Sequence, residues 1–245
     1  MRIVLYAVCL LFAFAARAED EQSREYGHCL ALVKVNPDDA LEEAMAWTTM
    51  GGGEPARHCS ALARIGQKQY EDGARRLEEL ARSSRQDTAI RAAMLAQAGE
   101  AWVLAGDWDR ADADQRGALS LSPNNPDIML DHAVTLGQVH HYQDAVDELT
   151  RVLALQPNRV EALVLRASAR RFLDDRKAAA ADVEKALTLD PDDADGLLER
   201  GILRRLNGDE SGARADWLKI VVGKPSSAAA PTAQRNLELL DVKQK

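Results

Sequence analysis

Histidine followed by cysteine occurs twice, in GHCLAL (His28-Cys29) and in RHCSAL (His58-Cys59), each time with Ala-Leu one residue further on. Imidazole and thiolate together suit zinc, so a Cys2His2 centre, a redox dithiol and a structural disulfide are the three chemistries to weigh. Neighbours on a helix project about 100° apart, which makes it awkward for both members of each pair to reach one ion. A redox centre prefers Cys-x-x-Cys, and that spacing is absent.

Compartment bears on the choice. The chain opens MRIVLYAVCLLFAFAARAED, with Arg2, an apolar run from Ile3 to Ala15, then Ala16-Arg17-Ala18 ahead of acidic residues. This is the anatomy of a secretory signal peptide spanning residues 1–18, and it predicts cleavage after Ala18 and a periplasmic or secreted product. The apolar run is short for a membrane span, and no later segment offers ~18 uncharged apolar residues in a row. Val8 stands before Cys9 where a lipoprotein signal needs a small residue. Without the leader Cys29 and Cys59 remain, and an even cysteine count in an exported chain favours a disulfide. Loss of Arg2 and Arg17 takes the formal charge of -8 further negative, which argues against a nucleic-acid binder.

Other chemistry is thin. No Ser, His and Asp set stands in a recognisable motif, and Gly51-Gly52-Gly53 follows a helical stretch, so it reads as a turn and not a phosphate loop. Asp192, Asp193 and Asp195 stand at a helix start, where the helix dipole favours negative charge. His132, His140 and His141 read as packed or solvated histidines, because the adjacent pair diverges and no cysteine completes a ligand set. The expectation is a protein with no catalytic residue, no metal and no cofactor.

The elements that would carry any site are helical, since the chain is rich in Ala, Leu, Arg and acids and poor in aromatics. They repeat. Pro123, Pro157, Pro191 and Pro225 recur every 34 residues, as do Gly99, Ala133, Ala167 and Gly201, then Ala111, Ala145, Ala179 and Ala213. Each unit reads as two helical stretches with a break near His140 in the second, closed by a proline that cannot continue the helix. These units resemble tetratricopeptide repeats, with Trp108 and Tyr142 in the family's aromatic position and Arg176 and Glu210 departing from it. The resemblance implies an all-α, right-handed superhelical α-solenoid of stacked antiparallel helix pairs. Four repeats span 92–227; a looser one spans 54–91, with Gly73 in place of alanine. Residues 19–53 read as a degenerate pair, and 228–245 as a capping helix and tail whose Leu237 and Leu240 cover the last repeat.

Arg166, Arg170 and Arg171 recur as Arg200, Arg204 and Arg205. The first two of each set, four residues apart on one helix face, either pair with acids such as Glu199, Asp174 and Asp182 or present a basic strip to an anion. The family resemblance places Arg171 and Arg205 on the concave groove with Val164, Ser168, Phe172, Leu198 and Ile202, and Glu100 and Gln138 on the same lining. That mixture suits a peptide or protein partner with apolar side chains and an acidic group. The places where carboxylate-clamp cochaperones carry lysine and asparagine hold Ala96, Glu100, Val134 and Ser168, so that clamp is set aside. The resemblance implies a non-enzymatic scaffold or adaptor; the alternatives are a carrier of an amphipathic anionic small molecule or lipid, and a self-assembling protein. It also puts Cys29 and Cys59 on the first helices of neighbouring pairs, where a disulfide would pin the irregular end and leave the adjacent histidines incidental.

Overall fold

The computed structural model describes residues 21–243, so the leader read from residues 1–18, Cys9 included, lies outside the described residues. Helix follows helix without a strand among the described residues. A first compact unit, ending at Pro123, holds α1 (21–35), α2 (Pro37–Thr49), α3 (Gly53–Gly66), α4 (Tyr70–Ser83), α5 (Thr88–Ala105) and α6 (Trp108–Leu121). A second, beginning at Asn124, holds α7 (Pro126–Gln138), α8 (Tyr142–Leu155), α9 (Val160–Phe172), α10 (Arg176–Leu189), α11 (Ala194–Leu206), α12 (Glu210–Gly223) and α13 (Ala230–Lys243). Within each unit consecutive helices pack as antiparallel neighbours, the α-solenoid arrangement that short connections impose.

The break inside each pair has one backbone solution. Gly106, His140, Asp174 and Gly208 occupy the same place in four successive pairs, and all have positive φ, at 78°, 64°, 60° and 84°. A left-handed residue ends the first helix by turning the chain away from the last carbonyls. The next residue starts the second helix: the side chains of Asp107, Asp175 and Asp209 accept from the backbone amides of Arg110, Ala178 and Gly212, satisfying donors that have no partner inside the helix. His141 fills that place in the α7–α8 pair and makes no side-chain cap. Asn36 and Asn125 cap α2 and α7, each followed by proline at the first helical position.

Small residues let the paired helices approach. A Cβ added at Gly201 would stand 2.3 Å from the Trp217 indole nitrogen, so α11 must have glycine where α12 brings its largest side chain. Gly73, the departure from alanine, is explained the same way: a Cβ there would lie 2.4 Å from Ile65 of α3. In the second unit Leu197, Leu203, Trp217 and Ile220 form one core with Leu237 and Leu240 of α13.

Cys29 on α1 and Cys59 on α3 are joined, with Cα atoms 6.3 Å apart, as lateral neighbours on first helices. His28, beside Cys29, is exposed and 3.3 Å from Glu43. His58 departs from the incidental role expected of it. It is 8% exposed, with Nδ1 2.7 Å from the Tyr26 hydroxyl and Nε2 2.7 Å from Gln97 Oε1, and so it ties α1, α3 and α5 together. Burial holds its pKa below the usual value. By the chain-entropy argument a disulfide closing this loop contributes about 3 to 4 kcal/mol. Replacing both cysteines (Cys29→Ala, Cys59→Ala) is therefore expected to lower hydrogen-exchange protection of α1–α3 by roughly that amount, with α9–α12 unchanged; equal protection in both proteins would show that the bridge does not hold this end.

Candidate functional site

The arginine ladder resolves into two structures. Arg166 reaches from α9 to Asp182 on α10 with two hydrogen bonds, Nε at 2.8 Å and Nη2 at 2.7 Å, and Arg170 adds a third from Nη1 at 2.6 Å. One repeat later Arg200 bonds Asp216 on α12 at 3.0 and 2.8 Å, and Arg204 adds Nη1 at 2.7 Å. In the α7–α8 pair His132 and Glu148 hold the corresponding places, 3.4 Å apart. Burial pushes the Glu148 carboxyl up, but the hydrogen bond from His132 and the charges of Arg151 and His132 outweigh it and hold the group below its ordinary value. Asp182 and Asp216 are 5% and 4% exposed as residues, so these are buried, fork-to-carboxylate pairs that fix each first helix on its second.

Arg171 does something else. Its Nε donates to Glu199 Oε1 at 2.6 Å and its Nη2 to Glu199 Oε2 at 3.2 Å, across from α9 to α11, while Nη2 also donates to Ser168 at 3.2 Å. Burial raises the Glu199 carboxyl, and Arg171 opposes that shift. Arg205, the same place on α11, has no carboxylate partner among the described residues; its guanidinium lies 6.0 Å from the Trp217 ring. The acids of α13 are occupied, Glu238 by Gln234 and Asp241 by Arg214.

Of the nine residues expected on the groove, the structure brings three together. Gln138, Ser168 and Phe172 line one cavity of about 150 Å³ in the second unit, closed by Val134, Tyr142 and Leu165. Phe172 is 54% exposed yet stacks flat on Tyr142, with centroids 4.5 Å apart and planes at 4°. The Arg171 guanidinium lies 4.3 Å from the centroid of the Phe172 ring, a second neighbour besides Tyr142. The Tyr142 hydroxyl is 2.6 Å from His140 Nδ1, which fixes the other ring of the stack. Val164 is buried at 7%; Leu198 and Ile202 are half-buried against the α9–α13 core; Arg205 lies on α11 with them. Glu100 is exposed on α5, in the first unit.

No family model matches the sequence, and no curated protein matches it. Solved structures do. MamA of Desulfovibrio magneticus RS-1, residues 41 to end, superposes with a TM-score of 0.62 at 22% identity, covering 71% of this chain and 97% of that one. PilF of Pseudomonas aeruginosa gives 0.68 at 14% identity, covering 89% and 98%. YrrB, described as a TPR protein with an unusual peptide-binding site, gives 0.58 at 16% identity, covering 75% and 95%. The chain has the tetratricopeptide-repeat fold.

Within the TPR fold, the first helices of successive pairs line one face, which is why Gln138, Ser168 and Phe172 meet although α7 and α9 are separated by α8. Sequence reasoning left Tyr142 and Leu165 off the lining. Tyr142 stands at the aromatic place of its repeat, and that was the available signal. It also passed over Asp216 and Glu148, although Glu148, Asp182 and Asp216 recur at the same 34-residue interval as the prolines. Asp182→Ala would strand two largely buried guanidiniums and is expected to cost about 3 kcal/mol, the low end for a broken buried pair because both arginines keep some solvent contact. Glu184→Gln, removing an exposed acid 3.5 Å from Arg200, is expected to cost less than ~1 kcal/mol. Urea unfolding of the two variants measures the contrast; equal costs would mean that the Asp182 cluster is not a structural clasp.

Proposed function

We propose that this chain is a non-catalytic, exported binding module whose second unit holds a segment of another protein in the groove at Phe172. The observation that carries this reading is the Tyr142–Phe172 stack: a large apolar ring, 54% exposed, held in place at the mouth of a cavity with Gln138 and Ser168 beside it. An exposed aromatic that is already immobilised loses little side-chain entropy when a partner covers it, which is the property of an interface anchor. A cavity of about 150 Å³ is well below the ~300–1,000 Å³ of a site for a drug-sized ligand, so it suits one apolar side chain of a peptide better than an enclosed small molecule or lipid.

Charge sorts the arginines within this reading. Arg171 is committed to Glu199, and its role in the groove is to brace Phe172, whereas Arg205 remains available to an acidic group of the partner. That YrrB is described as having a peptide-binding site agrees with the use of this fold for extended partners. The Cys29–Cys59 disulfide and the leader read in residues 1–18 support export to an oxidising compartment such as the periplasm. No helix among the described residues is long and apolar enough to cross a membrane.

Photo-crosslinking in the native host tests the proposal, with the reactive group at Gln138 and with Phe172→Asp and Arg205→Glu as comparisons. The wild-type groove is expected to capture a discrete protein that Phe172→Asp loses by tenfold or more and Arg205→Glu loses in part. Capture unchanged by Phe172→Asp would overturn the groove assignment. Intact mass of the exported protein, expected to begin at Glu19 with two fewer hydrogens than the dithiol form, checks compartment independently.

A further inference from the structure

The second helix of each of the last four pairs carries an acid at one place: Asp114 on α6, Glu148 on α8, Asp182 on α10 and Asp216 on α12. In the last three, the first helix of the pair answers with a basic side chain, His132, then Arg166 with Arg170, then Arg200 with Arg204. On α5 the two answering places hold Ala98 and Trp102. Asp114 is half-buried where its counterparts are buried, and it lacks their basic partner. What stands beside it is a second acid, Glu78 of α4, whose Oε1 accepts from the Trp102 indole at 2.7 Å. Asp114 Oδ2 is shut off from solvent and has no hydrogen-bond partner. Glu78 and Asp114 line one cavity, and two carboxyl groups brought together can hydrogen-bond each other only when one of them carries a proton.

We propose that Glu78 and Asp114 share one proton that fastens α4 and α6 across α5, and that releasing it loosens this seam, making the first unit responsive to pH.

Of the surrounding cations, Arg82 alone reaches the pair among the described residues. From α4, Arg75 is bonded to Glu71 at 2.8 Å, and Arg82, 73% exposed at its side chain, stays 3.9 Å from Glu78; Glu79 adds negative charge to the cavity wall. From α6, Arg110 is 3.4 Å from Asp107 and lies 4.5 Å from the Trp102 ring. The α5 group that faces Asp114 is the Trp102 indole. Among the described residues none of these guanidiniums is at ion-pair distance from Asp114. Burial, followed by the charge of Glu78 and the hydrogen bond to it, pushes the Asp114 carboxyl up to about 7, against the lesser pull of Trp102 and Arg82.

The sign follows from linkage. The folded state binds this proton more tightly than the unfolded chain, whose aspartate titrates near ~3.9. The stabilisation is therefore complete below about pH 4 and is lost as pH rises through about 7. Above that, two half-buried carboxylates face each other, and relief comes by swinging Glu78 onto Arg82, which breaks its bond to Trp102 and uncouples α4 from α5. His58, whose pKa burial lowers, acts in the opposite sense below its ordinary 6.5, inside the same pH range, so the two effects are told apart by sign and by residue.

Carbon-detected NMR titration of the side-chain carboxyls between pH 4 and 9, on the full chain with its disulfide intact, tests the proposal without a variant. The Asp114 carboxyl is expected to titrate near 7, and amide protection factors in α4–α6 are expected to fall tenfold or more over the same range while those of α9–α12 hold. Asp114→Asn, which keeps a donor toward Glu78, is expected to remove that fall. Asp114 titrating below pH 5, or protection in α4–α6 independent of pH in the wild type, would overturn it.

Discussion

How closely two helices of a pair can approach governs the rest of the molecule. At Gly201 the α11 backbone comes so near Trp217 that even a methyl group has no room, and at Gly73 the same is true against Ile65. Close approach does two things at once. It removes apolar side chains from water, as with Trp217, Ile220 and Val183 at 0% exposure. It also buries whatever polar group the second helix carries at the contact, so that an acid there must find a partner or a proton. Asp182 and Asp216 find guanidiniums, Glu148 an imidazole, Asp114 another carboxyl. One geometric constraint thus turns a repeated acid into three different electrostatic devices.

Buried pairs of this kind are weak evidence for net stability, since desolvation of both charges offsets much of their attraction. Their contribution here is better located in register. The fork of Arg166 meets Asp182 through two nitrogens while Arg170 reaches the same carboxylate from one turn away, and sliding α9 on α10 by a residue would break all three bonds. Uniformly small Ala contacts would tolerate such a slip, because one alanine fits another's place. The polar clasps therefore specify which of several similar packings the repeats adopt, and so fix where Phe172 and Ser168 meet Gln138.

Much of this was legible in the residues. The period of Pro123, Pro157, Pro191 and Pro225 marks the end of each second helix, and the small residues at 99, 133, 167 and 201 mark the contact inside each pair, because both depend on backbone sterics that one side chain decides. The disulfide was legible for a related reason: it needs only equivalent places on neighbouring first helices. Side-chain partners were less so. Arg166 and Arg171 are both arginines of one helix, yet one turns to its own pair and the other to the next, a choice set by the directions of Asp182 and Glu199, which lie 16 and 28 residues along the chain. His58 shows the limit most plainly, since its role depends on Tyr26 and Gln97 arriving from α1 and α5.

Departures from the repeat occur where the answering residue is missing, and they leave chemistry exposed there. Arg171 is neutralised because α11 supplies Glu199; Arg205 occupies the same place on α11, but the acids of α13 are turned to Arg214 and Gln234, so its charge stays uncommitted beside Leu206, itself 42% exposed. A capping helix must present solvent with a polar outer face, and it spends its acids on that duty instead of on the groove. In a stack whose units otherwise satisfy one another, such unanswered groups are the ones left with binding energy to offer. The apolar Tyr142–Phe172 stack and the Arg205 guanidinium, which meets no acid among the described residues, arise from the same economy, the first because Arg171 is used internally as a brace, the second because its counterpart of Glu199 is missing.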